Sequence, residues 1–154
     1  LLREGKMKKT YMALTKGKWH KSERVVDVPL YKDYQDGGKH VVEVRKDGKS
    51  ALTIFSTAKE FKGASLMEVA LHTGRTHQIR VHAQHQGHPI AGDDRYGDEE
   101  FNQQARKLGL KRMFLHAYSI EFILPSTQQQ IKVVAPLDDE LTAAVKKFEE
   151  MSRG

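Results

Sequence analysis

LHTGRTHQIRVHAQHQGHPIAGDDRY, running from Leu71 to Tyr96, decides how the rest of the chain is read. Thr73-Gly74-Arg75-Thr76 is turn chemistry, with Thr73 or Thr76 available as a helix N-cap. The spacing then predicts a helix from about Thr76 to Gln86, closed by Gly87 in the left-handed conformation with Pro89 beyond it. His77, Arg80 and Gln84 share one face of that helix at i, i+3 and i+7, while Ile79 and Ala83 can point to a core. Cations are costly to bury unless paired. A segment this rich in polar and charged groups is therefore expected to face a ligand.

The flanks place this helix beside a sheet. Upstream, Thr10 to Lys16 reads as a strand ending at Gly17, with Tyr11 and Ala13 on one face. Val25 to Pro29 reads as a second, stopped or confined to an edge by its proline. Lys39 to Arg45 lies between the turn signals Asp36-Gly37-Gly38 and Asp47-Gly48-Lys49 and reads as a strand in a hairpin-rich region. Lys49 to Glu60 and Ala64 to His72 form a hairpin across Lys62-Gly63. Downstream, Glu99 to Leu108 is an amphipathic helix with acidic residues first and basic residues last, matched to the helix dipole. Met113 to Leu124 and Gln128 to Ala135 pair as a hairpin across Pro125-Ser126-Thr127. A last helix opens at Asp138-Asp139-Glu140 with Leu141, Ala144, Val145 and Phe148 as its apolar side.

A chain of 154 residues that is 38% hydrophobic fits one domain, residues 1–154. No run approaches the roughly 18 apolar residues of a membrane span. The absence of cysteine excludes thiolate metal sites, and with no signal-like apolar N-terminus a cytoplasmic setting is expected. Charge is uneven. Eight basic residues face two acidic ones between Leu1 and Arg24, which accounts for the whole net charge of +6. A polyanion is expected to be drawn there, the alternative being a solvated face. Leu1 to Lys6 reads as the last turn of a helix stopped by Gly5, which suggests a fragment.

Five histidines between His72 and His88 invite a zinc reading, but HExxH spacing is lacking and no carboxylate lies between His72 and Asp93 to complete a site, so no metal is expected. They can instead donate to phosphates or hold the loop and helix together, the latter being preferred for His85 and His88. Arg80, on a helix, and Arg75, just before it, suit bidentate capture of a carboxylate or phosphate; the alternative is a structural salt bridge to Asp93 or Asp94. Those two aspartates could do acid-base work, but a loop bounded by glycines more often uses Asp for Asx-turns.

Taken together, KTYMALTKG (Lys9 to Gly17), GRTHQIRVH (Gly74 to His82), GHPIAGDDRYGD (Gly87 to Asp98) and RMFLHA (Arg112 to Ala117) resemble the pseudouridine synthases that act on structured RNA, in the ribosomal large-subunit branch, with DDRYGD pointing to its C type. The resemblance implies an α+β fold, a mixed and mainly antiparallel sheet flanked by helices, and an enzyme that detaches uracil, rotates it and rejoins it through carbon 5 without cofactor or metal. Its substrate would be large-subunit ribosomal RNA. Tyr11 matches the active-site tyrosine that stacks on the flipped-out uracil, Arg80 the arginine that pairs with the catalytic aspartate, and Leu115 an apolar residue near the base. Lys8, Lys9, Arg75, His77, Gln78, Arg95 and Arg112 complete the expected RNA-contacting set. The family's nucleophilic aspartate sits in an H-R-L-D-x-x-T-S-G type motif that this sequence lacks. Asp93 and Asp94 belong to another motif. The chain is thus expected to be the C-terminal portion of a catalytic domain, incomplete at its N-terminus, without an S4-type RNA-binding domain and inactive alone. The competing expectation is a basic RNA-binding module without chemistry; a metal hydrolase built on the histidines is a third.

Overall fold

The computed structural model describes residues 7–34, 40–71, 74–75 and 77–153, without the side chains of Tyr34 and His40. Expectations resting on Leu1 to Lys6, on the Asp36-Gly37-Gly38 turn and on Thr73 or Thr76 as caps lie outside these residues. The elements in chain order are β1 (Lys8–Lys16), β2 (Glu23–Asp27), β3 (Leu30–Tyr34), β4 (His40–Val44), β5 (Leu52–Phe61), β6 (Ala64–Leu71), α1 (Gln78–His85), α2 (Glu99–Lys107), β7 (Leu115–Ile123), β8 (Gln130–Val134) and α3 (Asp139–Arg153). Six strands form one sheet in the order β2-β5-β6-β1-β7-β8, and β3 and β4 form a separate ribbon. Every pairing is antiparallel, as expected of an α+β fold with helices on the sheet.

Strand β1 is interior to the sheet, and both of its faces are covered, which is why Ala13 and Leu14 are both fully buried. On one face Leu14 and its cross-strand partner Leu66 pack with Phe101 and Ala105 of α2 and with Leu141, Ala144 and Phe148 of α3. On the other face Ala13, Met67, Val69 and Phe55 meet Ile79 and Ala83 of α1. The ribbon then covers the far side of α1, with Leu30 and Val42 against Val81 and Tyr96. Helix α1 is therefore sandwiched between two β layers, and everything it carries is positioned twice.

The helix starts follow side-chain chemistry. Asp98 caps α2 by accepting from the Phe101 amide at 2.9 Å, and Asp138 accepts from Leu141 at the start of α3 at 2.9 Å, each satisfying a donor with no partner inside its helix. Helix α1 differs from expectation. It begins at Gln78, and its N-cap is His77 in the left-handed conformation (φ 53°) with no side-chain cap bond. The second strand lies at Glu23 to Asp27, before Pro29, and β3, which the sequence reading did not anticipate, supplies the partner of β4. Lys32, Asp33 and Tyr34 in β3 carry no apolar alternation to signal it. No helix among the described residues is long and apolar enough to cross a membrane.

Candidate active site

Tyr11, Arg80 and Leu115 lie far apart in sequence and line one cavity of about 230 Å³, together with Leu71, Arg75, His77, Gln78 and Ile79. Tyr11 stands on β1 beside Val69 of β6 and Ala117 of β7, while Leu115 pairs across from Ala13. Opposite residues in antiparallel strands share a face, so Tyr11 and Leu115 rise from the sheet on the side where α1 lies. The β1–β7 register shifts between Thr10 and Tyr11. The extra residue is Tyr118 of β7, since the β1–β6 register is unbroken, so the bulge bends β7 beside the aromatic residue of the cavity.

The entry to α1 is tied by Gln78. Its Oε1 accepts from the Arg75 amide at 3.0 Å, and its Nε2 donates to the Leu52 carbonyl at 3.0 Å and to Thr53 Oγ1 at 2.9 Å. Gln78 is only 2% exposed. Expected among the RNA contacts, it lines the cavity with its amide tied to β5, because a buried amide left unpaired is costly. His77 shares a hydrogen bond of 2.9 Å between Nδ1 and the Tyr96 hydroxyl, which also accepts from the Val42 amide at 3.0 Å. Positive φ at a non-glycine residue costs about 1–3 kcal/mol and survives only where the surroundings impose it.

Arg80 grips Asp93. Nε donates to Oδ2 at 2.9 Å and Nη2 to Oδ1 at 2.8 Å. The same Oδ1 accepts the amides of Arg95 and Tyr96 at 3.0 Å each, an Asx-turn of the kind expected for this loop. Gly92 has φ +82°, and a Cβ there would stand 2.3 Å from the Arg112 carbonyl oxygen; at Gly97 it would meet the Asp93 carbonyl oxygen at 2.1 Å. The two glycines of the motif are thus sites of close backbone approach that close the loop around Asp93. Burial pushes the Asp93 carboxyl up, but the Arg80 fork and the two amides outweigh it and hold it below the usual carboxylate range. The bond to Asp93 likewise raises Arg80 against the opposing pull of burial.

The alternative reading of Arg80 as a salt-bridge partner of Asp93 is therefore what the structure contains. The pair is close to neutral, and Nη1 is the Arg80 nitrogen outside the fork. No carboxylate lines this cavity among the described residues.

The other expected contacts are dispersed. By strand alternation Lys9 shares the Tyr11 face, whereas Lys8 lies on the opposite one, 3.9 Å from Glu121. Arg112 is ion-paired with Asp138 at the start of α3, and both side chains are partly exposed. Arg95 is exposed and lines a different cavity with Gln84 and His85. Arg75 lines the Tyr11 cavity and donates through Nε to the Ser50 carbonyl at 3.1 Å. Buried His82 bonds Thr53 Oγ1 at 2.8 Å and the Val28 carbonyl at 3.0 Å. His88 bonds the Lys16 carbonyl at 2.8 Å and stacks on Trp19, a scaffolding role as expected. Among the described residues no group of three or more His, Asp or Glu is placed to hold a metal ion. One role went unread in the sequence: Tyr96 as the hub joining His77 to Val42. The paired glycines around Asp-Asp-Arg-Tyr were the available signal.

The fold is an antiparallel sheet with helices on both faces that brings an aromatic ring and a clamped arginine to one cavity. The sequence profile of the RNA pseudouridylate synthases matches residues 1–85, a span that includes Tyr11 and Arg80. The chain belongs to that family. It is 46% identical over 140 residues to ribosomal large subunit pseudouridine synthase C of Pasteurella multocida (strain Pm70), covering 91% of this chain and 43% of the relative. It is 43% identical over 149 residues to the same-named protein of Escherichia coli (strain K12), covering 96% and 47%. The chain thus spans about half the length of the curated relatives it matches. Among solved structures, human RNA Pseudouridylate Synthase Domain Containing 1 superposes with a TM-score of 0.69 at 27% identity, over 92% of this chain and 60% of that one.

Proposed function

We propose that this chain forms the base-receiving half of a site that converts uridine to pseudouridine in large-subunit ribosomal RNA. The observation that supports it best is the meeting of Tyr11, Arg80 and Leu115 at one cavity. About 230 Å³ is smaller than the ~300–1,000 Å³ of pockets for drug-sized ligands and suits a single base. A base must leave its helical stack to be reached, and an aromatic platform recovers about 1–3 kcal/mol of the stacking it loses. Tyr11 provides the platform, and Leu115 and Ile79 exclude water around it.

The reaction breaks the bond between N1 and the ribose C1′, turns the uracil, and forms a bond between C5 and C1′ while the C5 proton is lost and N1 gains one. Substrate and product are isomers, so no oxidant, reductant or group donor enters the balance. What the reaction does require is a nucleophile or base at C1′, and the described residues of the cavity supply none. The carboxylate is delivered by another segment and meets Arg80 Nη1, the nitrogen that Asp93 leaves over. This division favours a second reading for the isolated chain, an RNA-binding module without turnover.

Tritium release from carbon-5-labelled uridine in large-subunit ribosomal RNA tests both readings, alongside binding of the same RNA by the 154-residue chain. Binding without release is expected. Release at rates typical of a complete enzyme overturns the division of labour, and failure to bind RNA overturns the assignment altogether.

A further inference from the structure

We propose that the cavity of about 500 Å³ between the β3–β4 ribbon and the Gly74-Arg75 turn is a second nucleotide subsite, which holds the RNA residue adjacent to the one at Tyr11. This rests on the function proposed above. Arg75 lines both cavities, so they adjoin across one side chain. The bond from its Nε to Ser50 fixes that side chain, while its terminal nitrogens have no partner among the described residues. A guanidinium between two base-sized spaces is placed to take the phosphate that links two consecutive nucleotides, bidentately.

The second cavity has the chemistry of a nucleotide site. Lys32 and Lys49 also line it, and neither is ion-paired among the described residues. Its only carboxylate among the described residues is Asp47, which is neutralised by Arg45 through Nε to Oδ1 at 3.0 Å and Nη2 to Oδ2 at 2.9 Å. The Arg45 guanidinium in turn lies 3.9 Å over the Tyr31 ring, pinning an aromatic side chain in the wall. Three cations without an ion-pair partner among the described residues surround one opening and repel each other, so their placement favours a polyanion. An inorganic anion would leave Tyr31 and the apolar wall of Leu30 and Val42 unused. A nucleotide uses both.

The test is fluorescence anisotropy with the 154-residue chain and a labelled seven-nucleotide single-stranded RNA carrying one central uridine. Lys32→Gln combined with Lys49→Gln is compared with Tyr11→Ala, and thermal unfolding verifies that each variant is folded. If both lysines meet phosphate, the double variant binds about tenfold more weakly at ~0.1 M salt, and its log K against log salt slope is shallower by about 1.4. Unchanged affinity and slope in a folded double variant overturn the subsite. If Tyr11→Ala then still weakens binding, only the subsite fails; if the wild type does not bind the RNA, or Tyr11→Ala is neutral, the proposed function fails with it.

Discussion

Arg80 and Asp93 are joined by two parallel hydrogen bonds of 2.9 and 2.8 Å, with the carboxylate wholly buried and the guanidinium 16% exposed. The pair ties the helix that lines the cavity to the loop that supports it. Asp93→Asn keeps the shape but leaves a cation facing a neutral amide, and is expected to cost about 3 kcal/mol, the low end for a broken buried pair because Arg80 keeps one side in solvent. Urea denaturation measures this, and a loss under about 1 kcal/mol contradicts the clamp. The pH dependence has a definite sign. A carboxyl held below its unfolded value of ~3.9 contributes fully above that pH and loses its contribution as pH falls through the lower folded value. The variant's acid limb should therefore be flatter below about pH 4.

His82 gives the opposite end of the scale. Burial, helped by His85, lowers its pKa, against the Val28 carbonyl and Asp27, which raise it. Between the lowered folded value and the unfolded ~6.5 the unfolded chain binds more protons, so this stability is complete above about pH 6.5 and erodes as pH falls below it. Denaturant midpoints taken from pH 7.5 down to 5 should decline, and less so in His82→Gln. An identical decline in the variant removes His82 as the cause.

Tyr11 should act in RNA binding through its ring. Tyr11→Ala is expected to weaken affinity for a uridine-containing RNA by about 1–3 kcal/mol, the worth of one stacked base, while Tyr11→Phe retains affinity. Equal losses in titrations of the two variants would transfer the role to the hydroxyl.

The lysines of β1 should separate by face. Lys9 shares the face of the cavity and Lys8 sits on the other beside Glu121. Lys9→Gln should make the salt slope of RNA binding shallower by about 0.7, the value for one single-strand phosphate contact, and Lys8→Gln should leave it unchanged. Equal slopes for the two variants and the wild type count against β1 as a contact surface.

Much of the fold was legible because its signals are local. The β5–β6 hairpin announced itself by alternation around Lys62-Gly63, and α2 by its amphipathic pattern and charge order. Helix α1 was read with two faces, one for core and one for ligand, since periodicity reports burial on one side only. The β3–β4 ribbon buries its other side as well, and it gave little sign of itself because Lys32 and Asp33 interrupt any apolar pattern. That unseen layer is why Lys32, Lys49 and Tyr31 were not associated with Arg75 until the ribbon was in place.

The sequence by itself determined which groups this protein carries: an aromatic residue on a strand, an arginine on a short helix, and a loop of paired glycines and aspartates, each set by residue type and short-range spacing. The tertiary structure alone decided whom they meet. Arg80 spends Nε and Nη2 on Asp93, and Arg112 closes on Asp138. A charged group takes its partner from whatever the fold brings within a few ångströms under exclusion of water, and no local pattern in the chain encodes that neighbour.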